Sequence, residues 1–181
     1  MRVKSFVKIW GSFFLLGLAV LGSGCGPDPV EKALENGVAF EDKGQSAEAL
    51  AEYNHAVELN PKSTDAYYNR ALLFQKRGDT KAALADFDKI ISLNPNYSQP
   101  YYGRGTIYDG QGQKDKALAE YTKAIENNIN YGPAYYKRCA VYNSKGEYRK
   151  ALDDARKARA SGISIPESLL KQLETDASKQ R

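Results

Sequence analysis

From Val30 to Ile165 the apolar positions recur with the period of a helix rather than of a strand. In Thr64–Arg77 and Thr80–Leu93 they fall at i, i+3, i+4 and i+7, which gathers them on one helical face. Gly78 separates the two segments, and Pro95 closes the second. The same pattern recurs every 34 residues, in the ungapped blocks 30–63, 64–97, 98–131 and 132–165. Counting from the start of each block, position 8 is small (Gly37, Ala71, Gly105, Cys139) and position 11 is aromatic (Phe40, Phe74, Tyr108, Tyr142). Position 15 is Gly44, Gly78, Gly112 and Gly146, and position 20 is Ala49, Ala83, Ala117 and Ala151. The pattern predicts four helix-turn-helix units, an all-α chain. Small residues at 8 and 20 let the two helices of a unit approach closely, and aromatics beside them fill the space. No single hairpin buries its apolar face, so stability has to come from stacked neighbours.

Two flanking segments follow different rules. Pro166–Lys179 sets Leu169, Leu170 and Leu173 among charged residues, one amphipathic helix with a polar back. Residues 166–181 are expected to cap the open end of the fourth unit, and a dedicated interaction helix is the alternative. At the other end, Arg2, Lys4 and Lys8 precede an uncharged, mostly apolar stretch from Ile9 to Leu21, then Gly22, Ser23 and Gly24. Residues 1–24 have the layout of a secretory signal. The apolar stretch is shorter than the roughly 20 residues of a spanning helix, and Gly11 and Gly17 interrupt it.

Charge changes the picture once that segment is set aside. The net charge of +4 falls to 23 basic against 22 acidic residues without Arg2, Lys4 and Lys8. A nearly neutral body gives no electrostatic reason to bind nucleic acid. Two cysteines and one histidine, His55, exclude a disulfide scaffold, a four-ligand zinc site and His-pair metal sites. No phosphate loop, nucleophile elbow or metal spacing is present, so neither an enzyme nor a cofactor is expected.

The repeat columns resemble the tetratricopeptide repeat (TPR) family: small at 8, aromatic at 11, Gly at 15, Ala at 20, aromatic at 24, Ala at 27, Pro at 32. Position 24 is Tyr53, Phe87, Tyr121 and Ala155, and position 32 keeps proline only at Pro61 and Pro95. The resemblance covers residues 30–165 and implies a right-handed superhelical solenoid whose first helices line a concave groove. By resemblance, position 5 (Leu34, Tyr68, Tyr102, Tyr136), position 9 (Val38, Leu72, Thr106, Ala140) and position 12 (Glu41, Gln75, Asp109, Asn143) face that groove. The implied function is a scaffold that binds a protein or peptide partner. The family's clamp for C-terminal carboxylates is not expected, because positions 5 and 9 lack its Lys, Asn and Arg.

Cys25, directly after small residues, resembles the lipobox cysteine of bacterial lipoproteins, although Gly22 stands where that motif prefers Leu and Leu21 lies one place further off. The resemblance implies a diacylglycerated Cys25, a short spacer over 25–29, and a body held at the membrane facing the periplasm. Gly26 after the cysteine favours the outer membrane. Similar lipoproteins assist secretin or pilus assembly, or recruit cell-wall hydrolases. A self-associating structural lipoprotein, as a homodimer without a peptide ligand, is the other reading.

Two ladders carry the remaining chemistry. Tyr68, Tyr102 and Tyr136 either form a recognition surface, with large apolar area, a polar tip and few rotors, or pack against the next helix. Position 7, usually Leu in the family, is Arg70, Arg104 and Arg138, with Asn36 in the first repeat; position 23 is Asp86, Glu120 and Asp154, with Glu52 in the first. In a hairpin centred near position 15 these two positions share a height, which predicts an Arg–carboxylate pair within repeats two to four. The alternative is that the arginines face the groove and take an acidic ligand. Cys139 is expected to be a buried small residue and not a nucleophile.

Overall fold

A glycine in the left-handed region sets every hairpin. Gly44, Gly78, Gly112 and Gly146 have φ of +74°, +82°, +72° and +75°, and a Cβ on any of them would meet nothing within 4 Å. The backbone angle, not space, therefore demands glycine there. The computed structural model describes residues 28–179. The expected signal segment 1–24, Cys25, Gly26, Pro27 and the last two residues lie outside the described residues.

The described residues form nine helices and no strand: α1 (Pro29–Asp42), α2 (Ser46–Leu59), α3 (Thr64–Lys76), α4 (Thr80–Leu93), α5 (Ser98–Gly110), α6 (Lys114–Asn127), α7 (Gly132–Ser144), α8 (Tyr148–Ala160) and α9 (Glu167–Lys179). Side-chain oxygens cap several N-termini: Val30 N donates to Asp28 at 2.9 Å, Ala66 N to Ser63 at 3.2 Å and Ala82 N to Asp79 at 3.1 Å. The turns between repeats rest on asparagine at position 31. Lys62 N, Asn96 N and Asn130 N donate to the side chains of Asn60, Asn94 and Asn128 at 3.0, 3.2 and 3.1 Å. This Asx turn explains how the third repeat keeps its turn with Ile129, 73% exposed, in the proline slot.

Inside each hairpin the residues at positions 8 and 24 exchange volume. Tyr53 and Tyr121 lie on Gly37 and Gly105, where an added Cβ would come within 2.3 and 2.5 Å of the ring. In the second repeat Ala71 accompanies the smaller Phe87, and in the fourth Cys139 accompanies Ala155; all four are buried. The degenerate second helix of repeat four is thus offset by a larger residue on its first helix. Close packing requires such compensation, because interiors leave few voids.

The hairpins stack in chain order, each second helix packing on the next first helix. The first helices also touch one another, α1 to α3, α3 to α5 and α5 to α7, so they line the inner side of a helical solenoid. At the C-terminal end α9 lays Leu170 and Leu173, both buried, into a cluster with Ala151, Ala155 and Ala158 of α8. Ion pairs flank this cap, Arg156 to Glu174 at 2.8 Å and Arg159 to Glu167 at 3.4 Å. None of the described helices is long and apolar enough to cross a membrane.

Candidate protein-binding groove and the arginine clamps

At 3.6 residues per turn, positions 5, 9 and 12 share one side of a first helix, and position 7 lies about 180° from them. The two ladders therefore occupy opposite sides. On the inner side, Tyr68 packs against Phe87 and Tyr97, with ring centroids 6.1 and 6.3 Å apart. Tyr102 packs against Tyr121 at 5.9 Å and edge-on against Tyr131 at 5.5 Å. Both rings stay half-buried, so each packs on one side and presents the other. Tyr136 has no such ring contact and is 39% exposed. Leu72 is 40% exposed and Val38 45%. Gln75 Nε2 donates to Thr106 Oγ1 at 2.8 Å, which ties repeats two and three across the groove floor. Asp109 and Asn143 are half-buried along the same strip.

Tyr97 and Tyr131 belong to this surface and are absent from the position 5, 9 and 12 set. They sit at position 34, in the loop that enters the next first helix. Their spacing of 34 residues was the available signal. Burial pushes the phenols of Tyr68, Tyr97, Tyr102 and Tyr131 above the usual tyrosine range, and for Tyr131 the neighbouring phenols Tyr68, Tyr102 and Tyr97 add to it. All four are neutral hydrogen-bonding groups at ordinary pH.

On the opposite side the three ladder arginines are committed. Arg70 donates from Nε and Nη2 to the two oxygens of Asp86 at 2.8 and 2.7 Å. Arg138 does the same to Asp154 at 2.7 and 2.9 Å. Arg104 grips Glu120, from Nε at 3.1 Å and more closely from Nη2. Each third arm reaches back to position 25 of the preceding repeat: Nη1 of Arg70 to Asn54 at 2.8 Å, of Arg104 to Asp88 at 2.6 Å, and of Arg138 to Thr122 at 2.9 Å. Rings flank the guanidiniums. Arg70 lies 5.3 Å from the Tyr67 centroid and 5.9 Å from Phe74, and Arg138 lies 5.6 Å from Tyr135 and 5.9 Å from Tyr142. Arg104 lies 5.8 Å from Tyr101. The acids are largely shielded, with Asp86 and Asp154 buried. The bond from Asp86 raises the Arg70 pKa; at Arg104 and Arg138 burial opposes the charge, and the carboxylate bonds outweigh it. These arginines join helices and repeats on the side away from the groove.

Cys139 is 2% exposed, and its thiol is pushed up to about 11, by burial first and then by Asp154. No cluster of potential metal ligands occurs among the described residues. His55 is exposed on the outer helix α2.

Three family models match parts of the chain: a TPR repeat over residues 37–78, and tetratricopeptide repeats over 64–97 and 87–119. No curated protein matches. Among solved structures, MamA shares 29% identity at a TM-score of 0.66, covering 75% of this chain and 80% of its own. TTC0263, a thermophilic TPR protein of Thermus thermophilus, shares 26% at 0.65, covering 82% of each chain. PilF of Pseudomonas aeruginosa shares 16% at 0.72, covering 83% of this chain and 70% of its own, a likeness of fold alone. The 34-residue register, the left-handed glycine of each hairpin and these similarities together make the chain a carrier of tetratricopeptide repeats folded as a TPR solenoid.

Proposed function

We propose that the protein is a binding scaffold of the bacterial envelope, whose inner face takes an extended peptide or a helix of a partner protein. TPR solenoids in general mediate protein–protein interaction, and that much follows from the fold. The observation that supports a groove is the tyrosine surface. Tyr68, Tyr97, Tyr102 and Tyr131 are braced against one another on one side and offer apolar area with polar tips on the other, and Tyr136, Leu72 and Val38 extend it. Braced aromatic rings lose little entropy on binding.

In this reading the protein acts by equilibrium binding and not by catalysis. Lipid on Cys25 would hold the body at the membrane, with two or more acyl chains giving stable anchoring. Confinement there raises the effective concentration of the groove for membrane partners. Secretin or pilus assembly and recruitment of cell-wall enzymes are processes such a scaffold serves.

The test places a photo-crosslinking residue at position 136 in the lipidated protein, in its own cells, with position 55 as the control. A dominant adduct at 136 that is absent at 55 is expected, and mass spectrometry identifies it. Adducts only to a second copy would favour self-association. Equal labelling at both positions would overturn the groove.

A further inference from the structure

The first repeat lacks the arginine but keeps the place for one. In repeats two to four the guanidinium is held by an acid at position 23 and by a ring at position 4, joined in repeats two and four by a ring at position 11. Repeat one retains the acid, Glu52, and the ring at position 11, Phe40, but has Asn36 at position 7 and Ala33 at position 4. A cavity of about 200 Å³ opens there, lined by Asn36, Ala39, Phe40, Lys43 and Glu52. It adjoins a second of about 330 Å³, which shares Asn36 and Glu52 and extends past Ala33 to His55, where the tyrosine ring of the other repeats is missing.

Lys43 lines the first cavity and Lys32 the second, but neither pairs with the acid. Asp86, Glu120 and Asp154 each hold a forked arginine, whereas Glu52 receives only a long contact from Asn36 Nδ2 at 3.4 Å. Among the described residues Glu52 forms no ion pair. Lys43 Nζ lies 5.7 Å from the Phe40 centroid, which leaves that ring able to take a second cation. Tyr142, the same position in repeat four, carries both Arg138 at 5.9 Å and Lys150 at 5.3 Å.

We propose that this open frame in repeat one is a binding site for an arginine side chain of a partner protein, gripped through both oxygens of Glu52 and lying against Phe40. The fold displays the ligand three times over: the acid of repeats two to four is met by a ring-flanked guanidinium each time. Arginine is specified over lysine because a planar fork matches a carboxylate at two points and stacks on a ring. The larger cavity beside Ala33 has room for an apolar or aromatic neighbour of that arginine. This site lies on the side of α1 away from the tyrosine surface, so it neither requires the groove nor competes with it.

The experiment is an NMR titration of the isotope-labelled protein with N-acetyl-arginine amide, and with N-acetyl-lysine amide as the control. The Asn36 side-chain amide and the Phe40 ring should shift and saturate with a dissociation constant on the order of 1–10 mM, as one bidentate contact allows. Lysine should bind at least about fivefold more weakly. Glu52→Gln should abolish the saturable shift. Asn36→Arg should fill the site from within, raising Tm and eliminating the arginine response. No saturable shift, equal binding of lysine, binding that survives Glu52→Gln, or a response that persists in Asn36→Arg would each overturn the proposal.

Discussion

Repeats one and three share length, turn glycine and a tyrosine at position 24 seated on a glycine at position 8, but they satisfy their interior polar groups differently. In repeat one Tyr53 donates to Glu41 at 2.9 Å. In repeat three the equivalent acid is Asp109, one methylene shorter, and the buried hydroxyl of Tyr121 has no hydrogen-bond partner among the described residues. The arginine frame shows the reverse. Repeat three closes it with Arg104, Glu120 and Asp88, and repeat one leaves it with Asn36 and Glu52. Each unit therefore leaves a different polar group of the shared plan without its usual partner. The apolar columns set the hairpin, and the polar details vary around it without disturbing the stack.

The exchange of volume between positions 8 and 24 gives the largest expected effect. Tyr121→Ala should cost about 3–5 kcal/mol in urea unfolding, because it opens a cavity in the hairpin. Adding Gly105→Cys reproduces the fourth repeat's pairing and should recover at least about 1 kcal/mol in a double-mutant cycle. Strict additivity would show that the two positions are not coupled.

The arginine frame comes next. Arg104→Met should destabilise by about 2–4 kcal/mol, since it leaves Glu120 shielded and unpaired. Asn36→Met should change stability by less than about 1 kcal/mol, because Asn36 makes only the 3.4 Å contact. Unchanged stability with lost partner binding in Arg104→Met would sink the structural role of the pair.

Smaller differences separate the two tyrosines. Tyr53→Phe should cost about 1 kcal/mol by removing its bond to Glu41, whereas Tyr121→Phe should be neutral or stabilising. Asp109→Glu should supply the missing acceptor and gain about 0.5–1.5 kcal/mol. A cost in Tyr121→Phe equal to that in Tyr53→Phe would erase the distinction between the repeats.

A further effect is alkaline. Burial raises the folded-state pKa of Tyr53 and Tyr121, and it raises Cys139 to about 11 from an ordinary value of 9.0. Folded protein therefore holds protons that the unfolded chain releases. The contribution is whole below about pH 9 and declines as pH rises through 11, so stability falls with pH across that window. Denaturation midpoints from about pH 8 to about pH 11 check the sign, and Cys139→Ala should flatten the lower part of the decline.

The hairpins were legible in the sequence because each rests on a residue type that geometry demands. Gly78 needs a positive φ, Ala83 a close approach, and Phe87 a filled interior, and a fixed period of 34 repeats those demands. Arg70 and Asp86 were also readable, since two positions equidistant from a turn must share a height. The third arm of each arginine was not. Asn54, Asp88 and Thr122 have no common chemistry beyond an oxygen, so no column of like residues marks them. Tyr97 and Tyr131 escaped for another reason. They lie in loops outside the helical face that amphipathic spacing reveals, and tertiary stacking alone brings them to Tyr68 and Tyr102. The volume exchange of Cys139 with Ala155 depends on a partner sixteen residues away, which periodicity within one helix cannot show.

The reach of each clamp is the same in both directions. Arg70, Arg104 and Arg138 bond one partner sixteen residues ahead and another sixteen behind. A duplicated 34-residue segment would therefore bring its own connectors: an extra copy of residues 64–97 placed after position 97 would present Arg to the acid of its own hairpin and to the Asp88 of the copy before it. The array can lengthen by gene duplication with its joints already made, and the pattern changes only at the two ends, where Asn36 starts the series and Arg156 meets Glu174.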